Sequence, residues 1–468
     1  MKRYLGFDCG NSSIRTVVGS FDGEQLALEV IAQVPNREYR GIGYDHWDIL
    51  AIFHELLKGM KTACDTYPDI ESFGISTWGI DFGLLGPSGE LLGNPLCYRN
   101  THGAEGMKDL STEELDTLFN ATGIQNLPMN TLYQLLGIRT LLSEYYEQAN
   151  ALLLTPDLLN YMLTGERNSE VSIASTTQLI DMRSRTYAET VFSTTNLRKD
   201  LYAPLLPHKA VRGVLKKELA ELYHIPRLQA ISVPSHDTAA AVLSVPTEEE
   251  HVAFISSGTW SLIGTELPDP LINETVQRLG FSNEGGALDT ITLLKNSCGM
   301  HILQNIKREL EFKEKRKYAW DEIVELSRPG LSHTTLPTFD VNHASLYNPT
   351  SMIRGVSELT GIEDIGDIIA SSYRSLSLSY DHTIRDLENI TGTHYDTIHI
   401  IGGGARNDHV NQMTADLTHK RVVSGPEEAT SLGIIAMQIL RDFPNYTVAN
   451  LRAIIRDSVP LGVFTPNV

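Results

Sequence analysis

Cysteine, positive charge and long apolar runs are what this 468-residue chain has little of. Its four cysteines, Cys9, Cys64, Cys97 and Cys298, lie far apart with no C-x-x-C pair. That spacing excludes a disulfide frame or a zinc ribbon and points to reduced thiols of a cytoplasmic protein. Lys and Arg number 38 against 58 Asp and Glu, a net charge of −20, so no broad basic face for nucleic acid is expected. A small anionic ligand is still allowed, because backbone amides and helix N-termini hold anions without net positive charge. No apolar run approaches the roughly 18 residues of a membrane span, and Asp8 interrupts the N-terminus before a signal-like segment develops. No nucleic-acid or membrane partner is therefore expected, and a monomer and a homodimer are equally compatible with the charge.

Several catalytic motifs are missing as well. There is no G-x-x-x-x-G-K-[ST], and the dipeptide Gly-Lys never occurs. His54-Glu55 runs on to Lys58 where a zinc protease needs a second histidine, and no G-x-S-x-G elbow is found. These absences remove the P-loop, metalloprotease and serine-hydrolase readings.

What is present is material for two or three cores, with 41% hydrophobic residues. Short apolar runs alternate with helical periodicity, the pattern of an α/β protein. Strands are predicted over 4–8, 16–21, 71–77, 229–233, 252–256 and 397–401. Helices are predicted over 48–64, 131–142, 157–163, 294–311, 365–391 and 408–417. Tyr4-Leu5-Gly6-Phe7-Asp8-Cys9-Gly10 is echoed 248 residues later by Val252-Ala253-Phe254-Ile255-Ser256-Ser257-Gly258. Chance or a duplicated architecture with a boundary near residue 245 would each produce this echo.

Three polar turns carry candidate chemistry. Asp8-x-Gly10-x-Ser12-Ser13 ends a strand with an acid, a glycine and hydroxyls. It reads either as an ordinary hairpin or as a turn that aims N–H groups at a phosphate with Asp8 near Mg²⁺. Gly258-Thr259 would be its counterpart in the second half. Ser235-His236-Asp237-Thr238 follows a strand, where α/β sheets place ligands; Asp237 is there either a helix cap or a general base. Gly402-Gly403-Gly404-Ala405-Arg406-Asn407 lies between a strand and a helix and could meet a nucleotide. It is also nearly G-x-G-x-x-G, with Glu427 and Glu428 beyond it at ribose-binding distance, but the third glycine is missing.

Taken in order, Asp8-x-Gly10, Ser235-His236-Asp237-Thr238, Ser257-Gly258-Thr259-Trp260, Gly402–Asn407 and Glu428-Ala429-Thr430-Ser431-Leu432-Gly433 resemble the FGGY carbohydrate kinases over essentially the whole chain. Within that family the resemblance is strongest to the rhamnulokinase branch. It is carried there by Thr77-Trp78-Gly79-Ile80-Asp81-Phe82, Asn130-Thr131-Leu132-Tyr133-Gln134-Leu135, Asn283-Glu284-Gly285-Gly286, Leu294-Lys295-Asn296 and Gln304.

The resemblance implies two ribonuclease-H-like (actin-like ATPase) domains, 1–244 with the sugar and the base and 245–468 with the nucleotide, and an active site in the cleft between them. It implies ATP and Mg²⁺ as cofactors and transfer of phosphate to the C1 hydroxyl of a 6-deoxy-ketohexose. L-rhamnulose is the first expectation and L-fuculose the second; a non-catalytic sensor on the same fold is the rival of another class. Asp237 would be the base. Trp78, Gly79, Asp81, His236, Thr238 and Asn296 would bind the sugar. Asn11, Ser12, Ser13, Arg15, Gly258, Thr259, Gln304, Gly402, Gly403 and Ala405 would hold the nucleotide, and Asp8 the metal. One segment departs from the branch: after Arg99 its usual Asp-x-Arg is replaced by Asn100-Thr101-His102. Either a loop salt bridge was lost as a pair, or the hydrogen bonds to the sugar changed.

Overall fold

The computed structural model describes every residue except Ser332, Thr334, Asn348 and Val468. The chain forms two compact units. The first comprises Met1–Glu248, Glu266–Leu293 and Ala429–Ser458, and the second Glu249–Thr265, Leu294–Glu428 and Val459–Val468. The first unit thus takes two further segments from the second half of the sequence, whereas the second unit lies wholly within residues 249–468.

The first unit is built on a six-stranded sheet in the order Val211–Val214, Gln229–Ile231, Ser72–Thr77, Lys2–Cys9, Ser13–Phe21, Leu26–Pro35. Lys2–Cys9 runs parallel to Ser72–Thr77 and antiparallel to Ser13–Phe21. Its Tyr4, Leu5, Phe7 and Cys9 are wholly buried, as a central strand covered on both faces requires. The helix Ile49–Thr66, capped by Asp48 Oδ1 on the Ala51 N–H at 3.0 Å, buries Ile52, Leu56, Met60 and Ala63 on one face. These positions follow the helical period. The helix Ala429–Asp442 packs instead on the short helix Asp237–Leu243. The approach is close enough that a Cβ on Gly433 would sit 1.9 Å from the Ala240 carbonyl oxygen.

A second sheet has seven strands, in the order Gly462–Phe464, Arg421–Ser424, Thr397–Ile401, Ala253–Ser257, Trp260–Leu267, Ile291–Cys298, Ser282–Gly285. From Gly462–Phe464 to Trp260–Leu267 the directions match those of the first sheet. Ala253–Ser257 is parallel to Thr397–Ile401 and antiparallel to Trp260–Leu267, and the Gly462–Phe464 edge strand is antiparallel to its neighbour, as Val211–Val214 is in the first unit. The echo in the sequence therefore marks two sheets of like order. One detail differs: Cys9 pairs with Ile14, whereas Ser257 pairs with Ser261, so the second hairpin closes one residue tighter.

The helix over 365–391 forms with the expected bounds, capped by Asp364 and ended by Gly392 at φ +67°. The expected helix over 294–311 does not form as one element. Residues Ile291–Cys298 are a strand, and the helix is His301–Glu314. Its helical period starts only at Ile302, Leu303, Ile306 and Leu310, all buried, while Leu293 and Leu294 belong to the buried strand. Gly299 separates the two. A Cβ there would lie 2.7–2.8 Å from atoms of Ser261, Trp260 and Gly258. All four cysteines are free and buried. Among the described residues no helix is long and apolar enough to cross a membrane.

Candidate active site

In the first unit the predicted residues gather where parallel strands end. Asp8 pairs across to Ser76, and Thr77 bridges to His236, with the Thr77 N–H donating to the Ser235 carbonyl at 2.9 Å. This register sets Asp8, the Trp78–Asp81 loop and the Ser235–Thr238 turn along one edge, the C-terminal edge that binds ligands in open α/β sheets.

The turn after Cys9 is closed by the Gly10 N–H on the Ser13 carbonyl at 2.9 Å, with Asn11 and the exposed Ser12 at its tip. Asn36 Nδ2 donates to the Gly10 carbonyl at 2.9 Å, and Asn11 Nδ2 to the Tyr98 hydroxyl at 3.4 Å. Ser13 opens the next strand, which carries Arg15 opposite Asp8; Arg15 Nη1 lies 3.4 Å from Asp8 Oδ2. The same oxygen accepts from Ser431 at 3.1 Å, and Thr430 Oγ1 donates to the Asp237 carbonyl at 3.2 Å. The Thr430-Ser431-Leu432-Gly433 motif thus works in the first unit, between Asp8 and Asp237.

His236 stands in a row of charges. Its Nδ1 lies 3.2 Å from Glu284 Oε2 and its Nε2 3.4 Å from Asp237 Oδ1. Burial alone would strip the imidazole of its proton. Glu284 outweighs it, helped by Asp237 and Glu170, and lifts His236 to about 9. Burial raises the Asp237 carboxyl above its ordinary range, with the His236 charge opposing. About a third of the Asp237 side chain, 34%, is exposed, against 8% for His236 and 11% for Glu284. Asp237 is therefore the member of the row that a ligand can reach. Its capping reading fails, because the N-cap position falls on His236 and no side chain caps the helix. Thr238, itself buried, points its Oγ1 at Asp237 Oδ1 at 3.3 Å.

A second layer of buried charge fixes this turn from behind. Glu170 accepts from the Ser235 N–H at 2.9 Å, from Ser172 N and Ile173 N at 2.7 and 3.1 Å, and faces His208 Nε2 at 2.8 Å. Although burial opposes its charge, His208 and these donors hold it down at about 2. His208 Nδ1 accepts from the Leu288 N–H at 3.1 Å. Arg212 bridges Asp157 at 2.5 Å and the Ser235 hydroxyl at 3.3 Å.

Asp81 is 1% exposed, and its Oδ2 accepts from both Trp47 Nε1 (2.6 Å) and Trp78 Nε1 (2.9 Å). Burial lifts it to about 7 despite the two indoles. Gly79 is half-buried; a Cβ there would press on Thr176 at 3.0 Å. Asn100 serves its own loop, accepting from the Asp45 N–H and donating to the Asp45 and Cys97 carbonyls, each at 2.8 Å. His102 is wholly buried, 3.1 Å from Gln134 Oε1.

In the second unit Ser256 pairs with Ile401, so the turns at Gly258 and Gly402 are neighbours. The Gly258 N–H closes on the Trp260 carbonyl at 2.9 Å, leaving Thr259 exposed. The N–H groups of Gly299 and His301 donate to the Thr259 carbonyl, and that of Met300 to Gly258. This ties the start of the helix that carries Gln304 to the turn. Gly402 has φ +81°, and a Cβ on Gly404 would sit 2.0 Å from Ser257 Oγ, whereas one on Gly403 would meet nothing within 4 Å. Ala405 is buried. Asn407 caps the helix Asp408–Thr418 through the Val410 N–H at 3.0 Å, which accounts for the absent third glycine. Glu427 pairs with Arg406. Asn296 is exposed on its strand.

Sequence reasoning gave no role to Glu284, Glu170 or Arg212. The Asn283-Glu284-Gly285-Gly286 segment held the first of these, but only the packing of the strand Ser282–Gly285 on the helix Val171–Ser175, where the Gly285 N–H donates to Ser175 Oγ at 2.7 Å, brings it to His236.

Residues 3–244 match the N-terminal domain of the FGGY family of carbohydrate kinases, and residues 253–440 its C-terminal domain. A rhamnulokinase from Ligilactobacillus salivarius is 33% identical, with 100% of this chain and 96% of that protein covered. One from Bacillus subtilis is 31% identical, at 99% and 95%. Among solved structures, gluconate kinase from Lactobacillus acidophilus matches with a TM-score of 0.82 at 15% identity, covering 100% of this chain and 94% of that one. Plasmodium falciparum glycerol kinase with ADP matches at 0.80 and 16%, with the same coverage. At such identities the structural likeness shows the fold, that of the sugar kinases and actin-like ATPases.

Proposed function

Because this chain belongs to the FGGY family of carbohydrate kinases, we propose that it transfers the γ-phosphoryl group of ATP to the C1 hydroxyl of L-rhamnulose, giving the 1-phosphate. The substrate is inferred from the full-length likeness to rhamnulokinases. The observation that carries the mechanism is the row Glu284–His236–Asp237, whose reachable end is a carboxylate.

Phosphoryl transfer asks the protein for alignment and charge control more than covalent chemistry. Asp237 takes the C1 hydroxyl proton on its carboxylate. Its raised pKa suits a general base, which works best when its proton affinity is matched to the operating pH. The His236 cation beside it stabilises the ionised form, and Glu284 keeps that cation charged. Trp78, Gly79, Thr238 and Asn296 contact the sugar, with Asp81 holding the Trp78 indole in place. Buried polar partners of this kind discriminate strongly, because a misplaced hydroxyl leaves them unpaired.

The residues present fit a magnesium–nucleotide complex. Backbone turns at Gly10 and Gly258 offer N–H groups of the kind that cradle phosphates. The open space beside Gly403 admits a ligand against the backbone, and the Asp8 carboxylate suits a hard cation. Asn11, Ser12, Ser13 and Arg15 with Gly258 and Thr259 would hold the phosphates; Gln304, Gly402, Gly403 and Ala405 would hold the nucleoside. Bound magnesium supplies charge neutralisation on the phosphates.

The test is ADP release with Mg-ATP across L-rhamnulose, L-fuculose, L-ribulose, L-xylulose, D-xylulose and glycerol, with Asp237→Asn alongside. L-rhamnulose should be preferred, and the variant should lose roughly 10²–10⁴-fold in kcat while still binding nucleotide. A preference for L-fuculose would overturn the substrate. Near-full activity of Asp237→Asn would overturn the base, and ATP binding without turnover on any sugar would favour a sensor.

A further inference from the structure

Ile80 sits in the left-handed region, at φ +68°. A β-branched side chain there is an outlier that persists only when its surroundings over-determine it. The surroundings do so at both ends of the residue. Its N–H donates to Thr176 Oγ1 at 3.1 Å, and its carbonyl accepts from Thr131 Oγ1 at 2.6 Å and Gln134 Nε2 at 3.2 Å. Gln134 also donates to the Met129 carbonyl at 2.7 Å, and its Oε1 faces His102 Nε2 at 3.1 Å. With that oxygen taken by the imidazole, the amide nitrogen is the end turned to Ile80. Thr131, Gln134, Thr176 and His102 are all buried, none more than 4% exposed. The next peptide is clamped too: Thr155 N and Oγ1 both donate to the Asp81 carbonyl at 3.0 Å.

A strained residue held by three side-chain hydrogen bonds between Gly79 and Asp81 is an arrangement that fold stability alone does not call for. A glycine at position 80 would reach the same φ without strain. We propose that Gln134 and Thr131 are positioning residues for the acceptor sugar. They force the Ile80 peptide into its left-handed turn and so set where Gly79 and Trp78 meet the substrate, while His102 fixes the orientation of the Gln134 amide. The proposal rests on the reading that the Trp78–Asp81 loop contacts the sugar. It also gives the Asn100-Thr101-His102 segment a use: His102 acts on the sugar loop through Gln134 without touching the ligand.

The test is calorimetric titration of L-rhamnulose and, separately, of a non-hydrolysable ATP analogue into the full chain. Wild type is compared with Gln134→Met, Thr131→Val, and each of these combined with Ile80→Gly. Sugar affinity should fall roughly tenfold or more in each single variant, the scale of a lost clamp on a strained turn. Analogue affinity should stay within about twofold. Ile80→Gly should restore most of the lost sugar affinity, because glycine adopts the turn unaided. Parallel loss of both ligands without rescue, or unchanged sugar affinity, overturns the proposal and leaves a purely structural clamp. Thr131→Val is nearly isosteric and keeps the test open if Gln134→Met fails to fold. If wild type binds none of the six acceptors named above, the reading of the sugar site fails, and this proposal fails with it. That outcome is distinct from wild type binding the sugar and the variants binding it equally.

Discussion

Replacing Glu284 by Gln should uncouple the stability of the first unit from pH in a defined window. In the wild type His236 is lifted from 6.5 to about 9, with burial opposing and Glu284 the largest favourable contribution. That lift corresponds to about 3 kcal/mol in favour of the imidazolium. A group whose pKa is raised on folding stabilises the folded state fully below its unfolded value and loses that contribution as pH rises through its folded value. The wild-type contribution is therefore complete below about pH 6.5 and gone above about pH 9. In Glu284→Gln the imidazole sits buried with one carboxylate partner fewer and titrates near or below its ordinary value. Unfolding of the two proteins, followed from about pH 6 to about pH 10, should show the variant less stable by up to about 3 kcal/mol at the acid end. The gap should then close. It can reverse at the alkaline end, where the wild type keeps a buried carboxylate beside a neutral ring. Proton NMR of the His236 ring gives the second readout, its titration moving down in the variant. An offset that is constant across this range, or a His236 titration that does not move, would refute the account of the row.

Much of the frame was legible in the sequence. The strands over 4–8 and 397–401 and the helix over 365–391 declared themselves through apolar period, and the Gly10 and Gly258 turns through their composition. The helix over 294–311 did not, because Leu293 and Leu294 continue an apolar pattern that a buried strand and a helix share. Gly299 breaks that pattern for a reason visible only in three dimensions: the backbone of Gly258 lies against it. The candidate site was legible as a set of types and not as a set of partners. Asp237 and His236 stood out as a polar cluster after a strand, but Glu284 reaches His236 from 48 positions away. Arg212, Asp157, Glu170 and His208 carry no local signal in the sequence, since charged residues are mostly exposed and are rarely buried unless paired. Their pairing comes from contacts distant in sequence, with Glu170 accepting from the Ser235 N–H and Arg212 bridging Asp157 and the Ser235 hydroxyl. Removing one partner of such a set leaves an uncompensated charge, so it specifies the position of the Ser235–Thr238 turn more than it adds stability.

The remaining perturbations separate the nucleotide side from the sugar side. Gly404→Ala would drive its Cβ to within 2.0 Å of Ser257 Oγ and 2.9 Å of the Ser257 carbonyl oxygen. The Gly402–Ala405 turn must then shift, and calorimetry should show the ATP analogue binding roughly tenfold or more weakly with sugar affinity retained; equal loss of both would place the turn outside the nucleotide site. Asp81→Asn tests the opposite exchange, of stability against binding. Burial lifts Asp81 to about 7 against the two indole donors, so the native state holds a proton that the unfolded chain releases from about pH 4 upward. Stability from this group is accordingly full below about pH 4 and lost as pH rises through about 7. Asparagine still offers an oxygen to Trp47 and Trp78 but carries no charge to bury. The variant should match the wild type near pH 4 and unfold at a higher temperature at pH 8, by up to about 4 kcal/mol in free energy. Its sugar KM should rise at pH 8, where the wild-type carboxyl is ionised and the amide is the weaker acceptor for the indole of Trp78. A variant that loses more stability at pH 8 than at pH 4 would reverse the sign of the argument and mean that the ionised carboxylate, not its neutral form, is what the two tryptophans stabilise.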